Sequence, residues 1–222
     1  MRYLISDIHG QYGVWRKARD FIKEDDTLYI LGDVVDRGPD GIKILMEIIG
    51  DKQCKMLIGN HELMMVQACA YDDNDILRMW YMNGGEPTHM QLIQMLDRNQ
   101  QKMLVGWINR LPSSFYLSDC KTLLTHAGFN VPPIIKSEAQ ILAYVSGLEI
   151  DDLVWDRSHV VVGQDSEVLM IHGHTSMEYI SKDLEPTTPI EYQKGKIGID
   201  VCVSKYKECV MYCIETKSVV RP

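Results

Sequence analysis

Apolar and polar positions along the N-terminal part of the chain fall into blocks that differ in length and spacing. Short apolar runs of strand length occupy residues 2–6, 28–31 and 54–58. The first segment between them carries apolar side chains at the helical spacing of Val14, Ala18, Phe21 and Ile22. The second carries them at Ile42, Leu45, Met46 and Ile49. This β-α-β-α-β order predicts an α/β sheet with crossover helices.

The pattern changes twice after this region. Residues 63–110 read as mostly helical, with a break at residues 83–87 that is rich in Gly and ends in Pro. Short apolar runs then return at residues 115–117, 121–125, 168–171, 196–203 and 209–214. These runs predict a second sheet packed face to face against the first, with an irregular loop at residues 181–191. We therefore expect one α/β domain over residues 1–222, with a mostly helical insert at about 63–110.

Composition narrows the class of protein. The 222 residues are 45% hydrophobic and 24% charged, which is typical of a globular protein with a substantial core. The formal net charge of -8 argues against nucleic acid as a partner, because that affinity rests on cationic side chains that neutralise phosphates. Phosphorylated partners stay open, since bound cations invert the field of an acidic site.

The cysteine pattern and the apolar runs indicate the cellular compartment. The six cysteines form no Cys-x-x-Cys pair, so we expect free thiols in a reducing compartment. No run approaches the length of a membrane span, and no signal-peptide pattern follows Met1. The sequence predicts a cytoplasmic protein without a membrane partner, and it leaves the oligomeric state open.

Short polar motifs follow the predicted strands. The first three are Asp7-Ile8-His9, the run from Gly32 to Gly38 (Gly-Asp-Val-Val-Asp-Arg-Gly), and Gly59-Asn60-His61-Glu62. Two more are Thr125-His126-Ala127-Gly128 and His172-Gly173-His174-Thr175. Because open α/β sheets place their active sites at the carboxyl ends of strands, we expect these side chains to meet there.

The side chains in these motifs are suited to metal ions. Asp7 and His9 are two residues apart at a strand end, so we expect both on one side and sharing one ion. Asp33 can reach the same ion and bridge to a second, to which Asn60, His126 and His174 offer an amide oxygen and imidazoles. Such mixed ligation suits two divalent ions, Mn²⁺ first, with Fe²⁺ or Zn²⁺ as alternatives. Two ions about 3.5–4 Å apart can share a hydroxide that attacks a phosphate in line.

The leaving group of such a reaction needs a proton. His61 follows Asn60, so its side chain should diverge from the metal ligands and face a substrate. Asp36 can orient His61, and Arg37 can bind phosphate oxygens with its planar guanidinium group. Taken alone, Asp36 and Arg37 would read as a local salt bridge beside a turn. The surrounding motifs favour the catalytic interpretation.

The ordered motifs resemble those of the calcineurin-like metallophosphoesterases. The runs from Gly32 to Gly38 and from Gly59 to Glu62 are similar to the phosphoprotein phosphatase branch, and the length to its bacterial and phage-type (lambda phosphatase-like) serine/threonine protein phosphatases. The resemblance implies a two-sheet β-sandwich flanked by helices, with a dinuclear metal site at the strand ends. It also implies the ligand set given above, with His61 as general acid paired with Asp36. Through the segment from Trp155 to Arg157, it adds Arg157 as a second phosphate-binding residue beside Arg37.

Some assignments stay open at this stage. His172 can bind metal, face the site or pack, and His174 is favoured as the ligand by its motif position. His89 and His159 match no motif and are expected to be ordinary surface or helix histidines. Glu62 is expected to orient its neighbours rather than bind metal.

The resemblance implies a metal-dependent phosphomonoesterase that acts on phosphoserine or phosphothreonine in a phosphoprotein or phosphopeptide. The alternative is a symmetrical dinucleoside tetraphosphate hydrolase, which requires a nucleoside pocket, expected from the insert at residues 75–110. Candidates to stack a base are Tyr71, Trp80, Tyr81 and Trp107, although their helical context favours core packing for most of them. A catalytically inactive scaffold that binds phosphoproteins would require the loss of a ligand or of the acid, and all of them are present.

Overall fold

The computed structural model of the chain describes residues 1–71, 73–161, 167–180 and 187–222. Its first sheet has five strands, of which three are neighbouring and parallel and two form a C-terminal hairpin at one edge. The parallel strands are β1 (Arg2–Ile5), β2 (Thr27–Ile30) and β3 (Cys54–Met56), with α1 (Tyr12–Phe21) and α2 (Gly41–Gly50) as crossovers. This is the predicted β-α-β-α-β unit.

The C-terminal hairpin corrects the prediction for residues 209–214. Strands β9 (Met211–Cys213) and β10 (Ser218–Val220) join the first sheet rather than the second. Cys213 pairs with Tyr3 and Tyr212 with Leu4 in antiparallel register. Because the crossovers place β2 on one side of β1, its other edge is open, and the hairpin satisfies the backbone groups exposed there.

The strands of the second sheet are β4 (Ser114–Leu117), β5 (Thr122–Thr125), β6 (Leu169–His172), β7 (Ile190–Gln193) and β8 (Lys196–Gly198). They lie in the order β4-β5-β6-β8-β7. Strands β5, β6 and β8 run parallel, so their carboxyl ends lie at one edge. The loop predicted at residues 181–191 is wrong at its end, because β7 begins at Ile190 and turns through Gly195 into β8. Residues 181–186 lie outside the described residues.

The two sheets pack face to face, as predicted. Leu4, Tyr29 and Leu31 on one sheet and Leu124 and Ile171 on the other belong to a single buried cluster between them. Their sequence neighbours point the other way, because side chains alternate across a strand. The structure therefore confirms the two-sheet α/β fold flanked by helices.

Helices cover the outer faces of both sheets. The region after β3 contains α3 (Asn60–Ala70), α4 (Asn74–Met82), α5 (Glu86–Met95) and α6 (Arg98–Ile108). The later helices are α7 (Glu138–Ser146), α8 (Ile150–Val154), α9 (Ser158–Val161), α10 (Met177–Ile180) and α11 (Val203–Tyr206). Among the helices in the described ranges, none combines the length and apolarity that crossing a bilayer requires.

Candidate active site

The loops at the carboxyl ends of the strands hold an unusual backbone conformation. Six non-glycine residues of the motifs have positive φ angles: Asp7, His9, Asp33, Asp36, Arg37 and His174. This conformation is uncommon for residues with a Cβ, and its clustering is typical of functional sites. Asp7 and His9 therefore meet because the chain turns sharply after β1, not because they alternate along an extended strand.

Two glycines make the close approach of two loops possible. Gly32 has a φ of 87°, and a Cβ at this position would lie 2.7 Å from Cα of Gly59. The loops after β2 and β3 therefore touch through their backbones. This contact brings Asp33 and Asn60 to the same point.

His9 presents an unpartnered nitrogen to the site. Its Nδ1 lies 2.9 Å from the carbonyl oxygen of Val35, and a carbonyl only accepts, so Nδ1 carries the proton. Nε2 is fully buried and has no hydrogen-bond partner within the described ranges. It lies 3.9 Å from Oδ2 of Asp33 and 4.0 Å from Oδ1 of Asp7. Burial lowers the pKa of His9 to about 3, so the imidazole is neutral and its lone pair is available.

Asp7 is held by its other carboxylate oxygen. Oδ2 accepts hydrogen bonds from the Ser6 hydroxyl and from the backbone N–H of His174, the latter at 3.1 Å. The other oxygen, Oδ1, lies on the side of His9. Burial, the Asp200 carboxylate and the Asp33 carboxylate raise the pKa of Asp7 well above its usual value. A bound cation would offset the repulsion among these buried carboxylates.

A second group of ligand atoms surrounds Asn60. Its Oδ1 lies 2.9 Å from Nε2 of His126 and 2.9 Å from Nδ1 of His174. The opposite ring nitrogens face the carbonyls of Leu31, at 2.6 Å, and Trp155, at 3.3 Å. Those nitrogens carry protons, so when the rings are neutral the lone pairs of the other two nitrogens face Oδ1 of Asn60, which is itself an acceptor.

His126 differs from the other imidazoles in its pKa. Burial opposes its charge, but the nearby Asp33 carboxylate raises the pKa of His126 to about 9. The distance from Nε2 to Oδ1 of Asp33 is 3.3 Å. His174, in contrast, has its pKa lowered to about 2, chiefly by burial and by the neighbouring His126. A single proton on His126 thus occupies the place that a metal ion would take.

Asp33 connects both halves of the site. His9, Asp33 and His61 form one group of possible ligand atoms, and Asp33, His126 and His174 form another, each within 4.8 Å. The first group contains His61, our predicted acid, and leaves out Asp7. Burial opposes ionisation of Asp33, but the imidazoles of His126, His61 and His9 lower its pKa well below the usual value. The donor set, the shared carboxylate and the orphaned nitrogen of His9 fit two divalent ions.

His61 is held at both ring nitrogens. Nδ1 donates to Oδ2 of Asp36 at 2.7 Å, and Nη2 of Arg37 donates to Nε2 at 3.1 Å. Nε2 lies 3.8 Å from Oδ2 of Asp33. The predicted pair of His61 and Asp36 is therefore in contact, with Arg37 beside it. These bonds use both ring nitrogens, which favours an acid over a metal ligand for His61.

Glu62 organises the loop that carries Asp33. Its fully buried carboxylate accepts backbone N–H bonds from Asp33, Val34, Val35 and Gly59, at 2.7 to 3.2 Å. Burial and the Asp33 carboxylate raise the pKa of Glu62 to about 7, and the amide donors act in the opposite direction. Both oxygens of the Glu62 carboxylate accept from backbone N–H groups, as expected for a residue that orients its neighbours.

The remaining predicted residues lie around this centre. Arg37 and Arg157 are exposed, and Nη2 of Arg157 lies 3.5 Å from the carbonyl oxygen of His174. His172 packs away from the ligands, since Nδ1 donates to the Gly173 carbonyl and Nε2 accepts from the Tyr192 hydroxyl at 2.7 Å. Of the two expected settings, surface or helix, His159 has the second, since it lies on α9 and is buried there.

The sequence pattern of the calcineurin-like phosphoesterase family matches residues 3–204. The chain belongs to the calcineurin-like phosphoesterases. This confirms the family predicted from the motifs. Members of the family use divalent metal ions, and the described His and Asp groups can hold them.

Curated relatives of this calcineurin-like phosphoesterase are symmetrical bis(5'-nucleosyl)-tetraphosphatases. The enzyme of Erwinia tasmaniensis is 30% identical over 130 residues, covering 57% of this chain and 43% of that enzyme. The enzyme of Hamiltonella defensa is 30% identical over 166 residues, covering 71% and 56%. The chain thus spans about half the length of the relatives it matches.

Solved structures with the same fold carry several activities. A candidate diadenosine tetraphosphatase superposes with a TM-score of 0.61 at 15% identity, over 100% of this chain and 92% of its own. A protein serine/threonine phosphatase from Saccharomyces cerevisiae superposes with 0.58 at 13% identity, over 90% and 66%. A cold-active protein tyrosine phosphatase gives 0.57 at 17% identity, over 95% and 72%. At such identities the likeness shows the fold alone.

Three contributors to the site were not assigned by sequence reasoning. Ser6 holds Asp7, and the buried Asp200 after β8 adds a carboxylate whose pKa is raised to about 6, chiefly by burial. Trp80 donates its indole N–H to Oδ2 of Asp36 at 2.8 Å. The break at residues 83–87 was the available signal for Trp80, because it marks the turn that brings α4 to the site.

Proposed function

We propose that this metallophosphoesterase hydrolyses symmetrical dinucleoside tetraphosphates, the activity for which its curated relatives are named. The observation that supports the chemistry is the pair of ligand groups sharing Asp33 beside the contact between His61 and Asp36. This choice replaces our first expectation, protein phosphatase activity, because the relatives with the higher sequence identity are dinucleotide hydrolases. Mn²⁺ is the proposed metal, since mixed carboxylate, amide and imidazole ligands suit it.

When bound, two divalent ions supply an activated water and neutralise phosphate oxygens. Asp7, His9 and Asp33 would hold one ion, and Asp33, Asn60, His126 and His174 the other. The exposed guanidinium groups of Arg37 and Arg157 would bind phosphate oxygens of the substrate.

His61 supplies the proton to the leaving oxygen from Nε2. Arg37 now donates to this nitrogen, so the nitrogen acts as an acceptor while Arg37 stays there. A substrate phosphate that draws Arg37 away frees Nε2 to carry a proton. Asp36 holds the opposite ring nitrogen and stabilises the imidazolium form.

A protein phosphatase is the second candidate, and one observation favours it. Trp80 is fully buried and Trp107 packs partly against the core, so the aromatic set predicted to stack a base shrinks to Tyr71 and Tyr81. Both tyrosines have exposed surface. A nucleoside subsite would have to rest on them or on other groups.

One experiment separates the candidates. Metal-stripped protein is refilled with Mn²⁺ and offered diadenosine tetraphosphate and a phosphoserine/phosphothreonine peptide side by side. The proposal expects faster turnover of the dinucleotide, with ADP as the product of symmetrical cleavage. Faster phosphate release from the peptide would overturn it in favour of the second candidate.

The variant His61→Asn tests the acid in the same assay. General acids contribute about 10²–10⁴-fold, and less when the leaving group departs easily without a proton. The variant should therefore lose turnover by up to that factor while keeping its metal content. An unchanged rate would remove His61 from the mechanism whichever substrate is preferred.

A further inference from the structure

The helical region reaches the catalytic loop through the turn between α4 and α5. The backbone N–H of Arg37 donates to the carbonyl oxygen of Gly84 at 2.8 Å. The backbone N–H of Asp36 donates to the Thr88 hydroxyl, also at 2.8 Å. Both loop residues have positive φ angles, so these bonds hold a backbone conformation that L-residues rarely adopt.

Trp80, on α4, makes the only hydrogen bond from the helical region to the Asp36 carboxylate that is found in the described part of the chain. Its indole N–H donates to Oδ2, the same oxygen that accepts from Nδ1 of His61. The other oxygen, Oδ1, is buried and has no hydrogen-bond partner in the described ranges. The orientation of the carboxylate therefore rests on two donors at one oxygen, and His61 is one of them.

The chemistry of the indole suits this position. An Arg or Lys in its place would form an ion pair with Asp36 and compete with Nδ1 of His61 for the carboxylate. A Trp N–H is a neutral donor that cannot accept. It therefore orients the carboxylate without forming an ion pair with it, and the carboxylate still accepts from His61. Because Trp80 is fully buried, bulk water does not compete for this bond in the native protein.

We propose that Trp80 is a positioning residue for the general acid, acting on His61 through Asp36. The inference rests on the proposed role of His61 and holds for either substrate class. Without the indole, Asp36 can rotate away from Nδ1, and His61 then delivers its proton less often. The consequence is a defect in protonation of the leaving group, with binding of metal unchanged.

The test variant is Trp80→Phe, and the chain offers a matched control in Trp15→Phe. Both tryptophans are fully buried, and both donate the indole N–H to a carboxylate oxygen. Trp15 does so to Glu47 at 2.7 Å, on the helices that cover the first sheet. The two substitutions therefore remove the same atoms and one bond of the same kind, and only one of the bonds belongs to the site.

The decisive measurement compares esters with good and poor leaving groups. A nitrophenyl phosphate departs with little help from an acid, whereas an alkyl phosphate needs the proton. Trp80→Phe should lower kcat about tenfold for the alkyl ester and less than about threefold for the nitrophenyl ester. Trp15→Phe should change both rates equally or not at all. An equal loss for both esters in Trp80→Phe would overturn the proposal.

A double variant provides an independent criterion. In a His61→Asn background the acid is already absent, so adding Trp80→Phe should cost nothing further for the alkyl ester. A full additional loss would show that Trp80 acts elsewhere and would overturn the proposal. If His61→Asn alone changes no rate, the proposed role of His61 fails first. Faster turnover of the peptide than of the dinucleotide is what overturns the proposed function, so the failures are distinguished.

A spectroscopic reading on metal-free, isotope-labelled protein needs no turnover. The proton on Nδ1 of His61 should give a downfield resonance in the wild type and in Trp15→Phe, and this resonance should shift or exchange away in Trp80→Phe. An unaltered resonance would contradict the positioning role. If Trp80→Phe fails to fold, benzothienylalanine at position 80 replaces only the N–H by sulfur, and the same outcomes decide.

Discussion

Glu62→Gln tests how the Asp33 loop is held. The native side chain, in the first turn of α3, is fully buried and accepts four backbone N–H groups with its two oxygens. Glutamine keeps the shape but replaces one oxygen by an NH₂ group, which cannot accept. The substitution therefore removes acceptors without opening a cavity.

The magnitude follows from counting donors. The remaining oxygen of glutamine can satisfy two of the four amides, and the other two face a donor. A buried donor that loses its acceptor costs about 1–3 kcal/mol, so the free energy of unfolding should fall by about 2–6 kcal/mol. Typical domains have about 5–15 kcal/mol, so the variant should fold but be clearly weakened. Displacement of Asp33 should also weaken metal binding about 10–100-fold, as for other residues that orient ligands.

The assay is urea unfolding of metal-free protein, with Mn²⁺ affinity measured by calorimetry. A pH near 8 keeps Glu62 ionised, because this is above its raised pKa of about 7. Glu47→Gln is the control, since Glu47 accepts from Tyr12, Trp15 and Arg16 away from the site. The control should lose some stability and keep normal metal affinity. Wild-type stability and affinity in Glu62→Gln would refute the reasoning.

Two further predictions concern the metal centre. Asp33→Asn should abolish binding of both ions, because both ligand groups share this carboxylate; metal analysis that still finds two ions per chain would contradict the bridging role. Mn²⁺ binding should release about one proton at pH 7, since the pKa of His126 is raised to about 9 in the metal-free protein and the ligand nitrogen must lose its proton. Affinity should consequently rise as pH increases toward 9, and calorimetry in buffers of different ionisation enthalpy measures the release; no release would show that His126 is neutral before metal binds.

The positions of the candidate ligands could be predicted because parallel strands end at a common edge. Asp7, Asp33, Asn60 and His126 each follow a strand-like run, and the structure gathers them with His174. The local reason given for Asp7 and His9 was wrong, since both residues have positive φ angles. Apolar runs locate where a strand ends, but the conformation of the loop depends on contacts with other loops, such as that between Gly32 and Gly59.

Partners that are distant in sequence were harder to predict. The run at residues 209–214 has the same apolar pattern whichever sheet it joins, so its pairing with β1 could not be inferred locally. The indole bond of Trp80 raises the same difficulty. The helical spacing indicated a core residue correctly, whereas the contact with Asp36 depends on how the turn between α4 and α5 docks onto the loop.

The electrostatics of the site explain why these loops need so many backbone donors. Asp7, Glu62 and Asp200 are buried together, and the pKa of each is raised, chiefly by burial. In the metal-free chain, ionising any of them costs free energy that the fold must supply through bonds such as those from Asp33 N–H to Glu62 and from His174 N–H to Asp7. Two divalent cations reverse the sign of the local field. The ionised carboxylates repel one another in the metal-free site, whereas bound cations would stabilise the ionised form of each. Metal binding and stability of these loops are therefore coupled, because the same carboxylates determine both.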